Sequence, residues 1–399
     1  MKYVVILPDG VSDAPLTELG NKTPLEVAKH PNMDWVAREG VTGWARTIPS
    51  GFPPGSDVGC MSVFGYNPRR HHVGRAPLEA AGQGIVLGPE EVAFRCNTVT
   101  VTDGVMADYS AGHIESAESA ELIRSVNEAL GRDGVRFHPG VGYRHLMVIA
   151  GREYAKTRCM PPHDISGKPT APHVPQGPGA ARLGELLCKT AGILQDHPVN
   201  RRRVDAGSPP ANQLWFWGQG TATSLPPFKQ VYGLRGACIS AVDIVRGIAT
   251  LAGLTILQVP GITGYFDTNY QGKAEHALKA LDGNVDFVLV HIESTDEAGH
   301  MGDAQKKIQA IEDVDRLVAG PILDGLRRRG QPFAMLITPD HATSTALRTH
   351  IVDLVPFALY ATNGPKGRVA AYHETAVRAS AKRFDEGFQL MAFLLQHGK

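Results

Sequence analysis

The last third of the sequence carries acidic and imidazole side chains whose spacing suits metal binding. Asp296 and His300 stand four residues apart, a spacing that puts both on one helical face, where they could chelate a cation or simply cap a surface helix. Asp340 is followed directly by His341, and His350 comes shortly after. Carboxylates and imidazoles are common ligands of divalent metals. The chemistry that these residue types offer together is therefore metal-assisted.

Asp340 and His341 are neighbours in the chain, and this adjacency bears on how many ions they could bind. In an extended backbone, adjacent side chains point to opposite sides, so the pair is poorly placed for one ion and well placed for two. The alternative is a turn after a strand with a partly exposed histidine. Together with the other acidic clusters, the pair favours a two-metal centre.

Ser56 is the candidate nucleophile. The glycine turn at 54–57 leads into a segment, Val58 to Tyr66, that can continue as a helix, so Ser56 lies near a helix N-terminus. Unpaired backbone N–H groups and the helix dipole stabilise an anion such as phosphate at that position. A neighbouring metal would acidify the hydroxyl. An ordinary N-cap serine is the alternative interpretation, and Asp9 could likewise be only a turn residue.

Three apolar, β-rich runs lead to the acidic residues at these sites. The runs are Tyr3 to Leu7, Phe287 to Ile292 and Phe333 to Thr338, and the residues that follow them are Asp9, Asp296 and Asp340. Continuous apolar strands separated by helical segments are typical of a parallel sheet covered on both faces. Ligands of such sheets collect at the carboxyl ends of the strands. We therefore expect the three carboxylates to converge there.

The segments between these strands predict helices and a second unit. Apolar residues from Ile308 to Leu326 recur every three or four residues, with Gly330 as a C-cap and Pro321 causing a kink or a junction of two helices. In the middle of the chain, strand-like and helical stretches flank a loop at 161–178 that is rich in Pro, Gly and His and could act as a lid. The strands are Val92 to Val101 and Leu146 to Ala150, and the helix is Ala117 to Leu130.

This pattern predicts a discontinuous α/β domain, residues 1–74 and 262–399, with a smaller α/β domain inserted at about 75–261. We expect the inserted domain to bind substrate and to act as a lid.

Composition narrows the class of protein. The chain has 40 basic residues (Lys and Arg) and 40 acidic residues (Asp and Glu), so its formal charge is zero. No net positive electrostatic field favours binding to nucleic acid or to an anionic membrane. The most apolar late stretch, Ala241 to Val259, is interrupted by Asp243 and Arg246 and does not predict a membrane span. Five scattered cysteines without a C-x-x-C pair indicate neither a disulfide framework nor a thiolate zinc site. We expect a cytoplasmic protein without a signal sequence.

The motifs taken together resemble the cofactor-independent phosphoglycerate mutases of the archaeal-type branch, a family of the alkaline phosphatase superfamily. They are PDG at Pro8, PPGSDVG at Pro53, STDEAGHMGD at Ser294, TPDHAT at Thr338 and THIVDLVPF at Thr349, and stretches such as VGRAPLEAAGQGI, AFRCNTVTV and YGLRGACIS extend the likeness over nearly the whole chain. The resemblance implies an alkaline phosphatase-like, doubly wound, mostly parallel sheet with an inserted smaller α/β domain.

The resemblance also implies a ligand set for two divalent ions. One ion would be held by Asp296, His300 and His350, and the other by Asp9, Ser56, Asp340 and His341. This set suits Mn²⁺ first, with Mg²⁺ and Zn²⁺ as alternatives. Ser56 would then take the phosphate of a bound phosphoglycerate as a phosphoserine, while water is excluded from the trapped glycerate.

Cations and amides should hold the small phosphorylated substrate, since a bidentate arginine matches a carboxylate or a phosphate. The candidates are Arg75, Arg95, Asn97, His113, Arg144, His163, Asp164, Lys168 and Lys273. Any one of these side chains could instead be a solvated surface group.

One departure keeps alternatives open. Archaeal-type mutases commonly read DYSAGRI where this chain has His113, and a histidine is shorter and only conditionally charged. A close sub-branch with the same metal-binding residues resembles a proposed homoserine kinase group. Phosphoryl transfer to an amino-acid hydroxyl is therefore the second hypothesis. A metal-dependent phosphohydrolase and a non-catalytic metal-binding module are further alternatives. The oligomeric state stays open.

Overall fold

The structure is a computed structural model, and it describes residues 1–367 and 369–397. The chain divides into two compact units, a large one from residues 1–72 and the chain from residue 224 onward, and a small one from residues 73–223. The sequence had placed residues 224–261 in the insert. They belong to the large unit because the strand Gly236–Ile239 pairs in parallel with Phe287–Ile292.

The described residues form strands and helices in the following order. The strands are β1 Lys2–Pro8, β2 Val41–Ala45, β3 Glu91–Thr102, β4 Val105–Asp108, β5 Val135–His138, β6 Arg144–Ala150, β7 Gln213–Thr221, β8 Gly236–Ile239, β9 Thr255–Ile256, β10 Phe287–Ile292, β11 Phe333–Ile337, β12 Ala342–Ser344, β13 Thr349–Ile351, β14 Val355–Ala361 and β15 Arg383–Phe384.

The helices are α1 Pro24–Val27, α2 Pro31–Glu39, α3 Ser56–Val63, α4 Pro68–His71, α5 Arg75–Gly82, α6 Ser116–Leu130, α7 Ala180–Leu194, α8 Pro198–Asp205, α9 Phe228–Tyr232, α10 Asp243–Leu251, α11 Tyr270–Asp282, α12 Ser294–Met301, α13 Ala304–Val314, α14 Gly320–Arg329, α15 Glu374–Val377 and α16 Gln389–Gln396. None of the helices in the described part of the chain combines the length and the apolar composition that a transmembrane segment requires.

The large unit is built on a mostly parallel sheet in the order β15-β2-β14-β11-β1-β10-β8-β9. Of its strand pairings, only the two that β14 makes are antiparallel. The three strands that precede the predicted site residues, β11, β1 and β10, are neighbours, so their carboxyl ends reach one edge of the sheet. Fully buried apolar side chains fill these strands, as expected of a parallel sheet between helices.

Alternate residues of each strand point to opposite sides of this sheet, so both of its faces carry apolar side chains. Helices cover both faces. On one face, Val4, Ile6 and Val288 pack against residues of α2, α11, α13 and α14 in one apolar core. On the other face, α10 contacts β8, α16 contacts β11, and both helices contact α3. The predicted doubly wound arrangement is confirmed.

The predicted helix between β10 and β11 is two helices joined by one π-helical turn, Asp315–Ala319. Pro321 is the second residue of α14, which directly follows the π-helical turn, so the predicted junction of two helices lies beside this proline. Gly330 ends α14 with φ of 63°, in the left-handed region that favours glycine, so the predicted C-cap is correct.

The small unit is an antiparallel sheet with helices on both faces. The long strand β3 pairs with β4, β6 and β7, and β5 adds to β6. Residues of α6 and α7 pack on one face, and Ala76 and Ala80 of α5 pack against Ala93, Leu146 and Val148 on the other. The predicted loop at 161–178 contains short 3₁₀ turns, at Pro162–Ile165 and Ala171–His173, and isolated β-bridge residues at Pro169 and Gln176.

Candidate active site

All seven sequence-predicted ligand residues lie in the large unit, at the edge where β1, β10 and β11 end. Asp9 follows β1, and Asp340 and His341 follow β11. Asp296 and His300 lie on α12, which begins two residues after β10. His350 belongs to β13 and is opposite Thr343 of β12. Ser56 is the first residue of α3, after Gly55 in an extended conformation.

His341 is the centre of the first group. Its Nε2 atom lies 3.2 Å from Ser56 Oγ, 3.3 Å from Asp9 Oδ1 and 3.4 Å from Asp340 Oδ2. His341, Asp9 and Asp340 are fully buried, and Ser56 is 7% exposed. The hydroxyl therefore faces an imidazole and two carboxylates within one small volume, at the N-terminus of α3.

Asp296 is the centre of the second group. Its Oδ2 lies 3.2 Å from His300 Nε2, and its Oδ1 lies 3.5 Å from His350 Nε2. The two histidine Nε2 atoms are 2.9 Å apart. The rings of His341 and His350 have centroids 4.0 Å apart, so the two groups adjoin. The i, i+4 spacing of Asp296 and His300 on one helical face is as the sequence predicted.

The side chains of Asp340 and His341 do not diverge as they would in an extended backbone. Asp340 Oδ2 and His341 Nε2 approach to 3.4 Å. The expectation assumed an extended backbone, whereas these two residues form a bend between β11 and β12. Both side chains therefore face the same group.

Two glycines allow this close approach. Gly10 has φ of 56°, and a Cβ there would lie 2.4 Å from Asp296 Oδ1 and closer still to Thr343 Oγ1. A Cβ at Gly59 would collide with the backbone carbonyl of Asp340, which packs against α3. The glycines of the PDG and GSDVG motifs are therefore required by space, because any side chain would push the site residues apart.

Burial and neighbouring groups shift the pKa values of the Asp9 and Asp296 carboxyl groups in opposite directions. Burial, reinforced by the nearby carboxylates of Asp340 and Asp296, raises the pKa of Asp9 well above its usual value. Burial would also raise the pKa of Asp296, but hydrogen bonds with His300 and His350 bring it well below its usual value. The Asp296 carboxyl, in return, raises the pKa of His300 to about 9 despite the opposing effect of burial.

These residues fit divalent cations. The ligand atoms of Asp296, His300 and His350 lie within 4.8 Å of one another, and so do those of Asp9, Asp296 and His341. Asp9 Oδ1 is buried and makes no hydrogen bond. Buried carboxylates at this density need compensating positive charge. The oxygen and imidazole donors are of the kind that Mn²⁺, Mg²⁺ and Zn²⁺ accept.

Sequence reasoning missed three polar neighbours of the site. His291 lies inside β10, and its Nε2 is 2.8 Å from Asp9 Oδ2. Glu293 follows β10, and its side chain, with those of Asp9 and His291, forms a third group of metal-binding type. Thr343 donates a hydrogen bond to Asp296 and contacts His341. A histidine in an otherwise apolar buried strand was the signal that could have revealed His291.

Lys273 of α11 also lies in the large unit, and it is almost fully buried. Its Nζ donates a hydrogen bond of 2.8 Å to the carbonyl of His291, and burial lowers its pKa to about 8. Lys273 is thus tied to the strand that carries His291. The sequence had proposed it as a substrate contact, and that role stays a prediction.

Predicted substrate residues of the small unit gather around Trp217. The guanidinium of Arg95 lies 4.4 Å from the Trp217 ring, and Asn97 Oδ1 accepts a hydrogen bond of 3.0 Å from its indole N–H. The His163 ring is 5.2 Å away. Glu79 accepts from Arg95 at 3.0 Å and also pairs with Arg75. Arg95 is only 5% exposed, and the carboxylate of Glu79 balances its charge.

The same cluster continues through the aromatic rings of Tyr109 and Tyr143. Tyr109 contacts both His163 and Tyr143, and Tyr143 contacts His113 and the guanidinium of Arg144. Asp164 and Lys168 lie beside this cluster on an exposed turn, where Lys168 Nζ donates to the Asp164 carbonyl. The aromatic rings that join these residues were not among the sequence candidates.

The sequence is similar to a named enzyme family. A family model described as 2,3-bisphosphoglycerate-independent phosphoglycerate mutase matches residues 37–200. The protein of that name from Methanothrix thermoacetophila is 49% identical over 395 residues, covering 99% of this chain and all of the relative. A relative from Geobacter sulfurreducens, named as a probable enzyme of the same kind, is 49% identical over 400 residues, with 99% and 100% coverage.

Solved structures agree with the sequence relatives. The PH0037 protein from Pyrococcus horikoshii superposes with a TM-score of 0.83 at 29% identity, covering 99% of this chain and 96% of that one. The cofactor-independent phosphoglycerate mutase from Thermoplasma acidophilum has a TM-score of 0.64 at 28% identity, and both chains are covered completely.

Proposed function

The chain belongs to the 2,3-bisphosphoglycerate-independent phosphoglycerate mutases, and we propose that it interconverts 3-phosphoglycerate and 2-phosphoglycerate through a phosphoserine on Ser56. This isomerisation is a step shared by glycolysis and gluconeogenesis. The observation that carries the mechanism is the position of the Ser56 hydroxyl, 3.2 Å from His341 Nε2 at the N-terminus of α3. Backbone N–H groups at such a terminus favour a phosphate on the serine oxygen.

Phosphoryl transfer would then proceed in two balanced steps. In the first step the Ser56 oxygen bonds to the phosphorus of the bound phosphoglycerate while the bond between phosphorus and the glycerate oxygen breaks; serine loses its hydroxyl proton, and the departing glycerate oxygen takes up a proton to become a hydroxyl. In the second step the glycerate turns so that its other hydroxyl attacks the phosphorus and loses its proton, while the bond between phosphorus and Ser56 breaks and the serine oxygen takes up a proton to restore its hydroxyl. Water must be excluded between the steps, because its attack would make the enzyme a phosphatase.

We assign two divalent cations to the residues described above. Asp296, His300 and His350 would hold one, and the second set comprises Asp9, Ser56, Asp340 and His341. Bound cations supply positive charge that neutralises the phosphoryl oxygens and lowers the pKa of the serine hydroxyl. Mn²⁺ is our first choice, because the oxygen donors of this set suit Mn²⁺ or Mg²⁺; Mg²⁺ is therefore one alternative, and the histidines make Zn²⁺ another.

We further propose that the small unit binds the substrate through the cluster around Trp217 and Tyr143. Arg144 and His163 are exposed enough to meet an anion, since the side chain of His163 is 47% exposed. Arg75 is partly exposed, whereas Arg95 would act by holding Glu79 and Trp217 in place. Asn97, His113, Asp164, Lys168 and Lys273 remain proposed contacts of the phosphate or the carboxylate.

The test is a comparison of Ser56→Ala with Ser50→Ala, a control that alters an exposed serine in the preceding loop. Metal-loaded protein receives 3-phosphoglycerate without bisphosphoglycerate, and ³¹P NMR follows the products. We expect 2-phosphoglycerate from the wild type and the control, and a loss of at least about 10³-fold in Ser56→Ala. Unchanged activity in Ser56→Ala would contradict the phosphoserine route.

The same spectra test the acceptor. Incubation with homoserine and a phosphoryl donor should yield no phosphorylated amino acid, and free phosphate should form more slowly than 2-phosphoglycerate. Phosphohomoserine as the main product would replace the mutase assignment. We place the reaction in the cytoplasm, a proposal that the five free cysteines support.

A further inference from the structure

Thr343 occupies a tight position between the two halves of the site. It is fully buried on β12, between two glycines whose missing side chains leave it room. A Cβ at Gly299 would lie 2.7 Å from Thr343 Cγ2, and one at Gly10 would collide with Thr343 Oγ1. The threonine side chain is therefore held between α12 and the turn after β1.

The hydroxyl of Thr343 carries a single proton and can donate only one hydrogen bond. Oγ1 donates to Asp296 Oδ1, and it lies 3.2 Å from His341 Nδ1. An ionised carboxylate can only accept hydrogen bonds, so the proton is used there and Oγ1 offers His341 only a lone pair. The hydrogen bond to Oγ1 is then satisfied only when His341 Nδ1 carries its own proton.

We propose that Thr343 is a positioning residue that fixes the Nδ1–H tautomer of His341 and thereby presents the Nε2 lone pair to the group formed by Ser56, Asp9 and Asp340. Neutral imidazole has one protonated and one free nitrogen, and the partner of the first decides which nitrogen can bind a metal or accept a proton. Because Thr343 also contacts Asp296, one hydroxyl orients a ligand of each proposed cation.

A buried ion pair prevents Thr343 from moving away from this position. Lys307 Nζ, fully buried on α13, donates 2.6 Å to the carbonyl of Thr343 and 3.0 Å to Asp13 Oδ2. Asp13 also accepts from the backbone and hydroxyl of Thr345. On the other side, the N–H of Thr343 donates 3.0 Å to the carbonyl of Ser12. The backbone of Thr343 is thus fixed at both its donor and its acceptor.

The first test reads the tautomer directly in the wild type. Long-range ¹H–¹⁵N NMR of histidine-labelled protein, with His341 assigned by the spectrum of His341→Ala, distinguishes Nδ1–H from Nε2–H in the metal-free and Zn²⁺-loaded states. We expect Nδ1–H in both. A His341 Nδ1 without its proton in either state would overturn the proposal, and this measurement requires no Thr343 variant to fold.

The second test rests on the proposed metal site and measures Mn²⁺ affinity by titration calorimetry. Thr343→Val keeps the shape but removes the hydroxyl, and it should weaken Mn²⁺ binding 10- to 100-fold, as loss of such partners typically does. Thr343→Ser should restore affinity to within about threefold. Thr190→Val, which removes a fully buried hydroxyl from α7 of the small unit, should leave it unchanged.

The outcomes separate the two proposals. Wild-type affinity in a folded Thr343→Val protein, or equal weakening in Val and Ser variants, would overturn the role of Thr343 alone. A wild-type protein that binds no Mn²⁺, Mg²⁺ or Zn²⁺ would instead overturn the proposed metal site, while the tautomer measurement would still decide the role of Thr343.

Discussion

At the scale of single residues, the buried histidines of the two units differ in what their nitrogens contact. His341 faces a hydroxyl on one side and two carboxylates on the other. His145 of β6, in the small unit, accepts one hydrogen bond on Nδ1 from the Gly140 N–H, and its buried Nε2 makes none. Burial lowers the pKa of His145 to about 3. Among the residues that the structure describes, no charged partner compensates for protonation of His145, so we expect His145 to destabilise the fold at acidic pH.

His145→Asn tests this expectation, because the amide oxygen can replace Nδ1 as an acceptor but cannot titrate. A folded pKa of about 3 against an unfolded value of 6.5 means that the unfolded state binds more protons between these limits, so stability is full above pH 6.5 and falls as the pH decreases. Between pH 7 and pH 5 the wild type should lose about 2 kcal/mol more than the variant.

The measurement is urea unfolding at pH 5, 7 and 8.5 for both proteins. Between pH 7 and 8.5 the imidazole is largely neutral in the folded and the unfolded state. The difference in the free energy of unfolding between the wild type and the variant should therefore stay nearly constant over this range. An equal loss of stability in the two proteins between pH 7 and pH 5 would show that His145 is protonated in the folded state.

At the scale of elements, the π-helical turn between α13 and α14 has a structural consequence. It places the buried Asp315 carboxylate at the start of α2, where Oδ1 accepts from the Met33 N–H at 2.8 Å and Oδ2 accepts from the Asn32 side chain at 2.7 Å. A carboxylate at a helix N-terminus satisfies free N–H groups and complements the helix dipole. The turn therefore fastens two helices on one face of the sheet.

Asp315→Ala should lower the free energy of unfolding by about 1–3 kcal/mol, because it leaves the Met33 N–H buried without its acceptor. Asp324→Ala, an exposed position on α14, is the control and should change stability by less than about 0.5 kcal/mol. Denaturant unfolding of both variants measures the difference. Equal effects at the two positions would show that the capping contact contributes no stability.

At the scale of the whole molecule, three buried carboxylates at one sheet edge should link metal binding to stability. The repulsion among Asp9, Asp296 and Asp340 opposes folding when no cation is bound, and a ligand of the folded state stabilises it by mass action. Mn²⁺ at 100 times its dissociation constant should add about 2.7 kcal/mol for each site, and a chelator should reverse the gain.

Thermal unfolding with and without Mn²⁺ tests this linkage, and Asp296→Asn is the informative variant because Asp296 contacts both groups of ligands. The metal-free variant should be less stable than the metal-free wild type, because His300 and His350 favour the ionised Asp296 carboxyl in the folded state, and its increase in Tm on adding Mn²⁺ should be much smaller. An equal increase in both proteins would place the stabilising ions elsewhere.

The sequence by itself determined the mostly parallel sheet and the helices that cover it, and it singled out the acidic and histidine residues that gather at one edge of this sheet. Apolar runs that end at Asp9, Asp296 and Asp340 are a local signal, and parallel neighbours must bring such ends to one edge. The sequence did not determine the limit of the small unit near residue 223, because residues 224–261 are apolar enough for either unit and only pairing of β8 with β10 assigns them.

Only the tertiary structure decided how the side chains of the proposed ligands are oriented. The bend at Asp340 and His341, the position of His291 and the contact from Thr343 to both Asp296 and His341 join residues that are far apart in the chain. The sequence contains the residue types, but a tautomer or a shared hydrogen bond depends on distances of a few tenths of an ångström. Those distances are set by packing between elements, such as Thr343 against Gly10 and Gly299, and packing is a property of the folded chain.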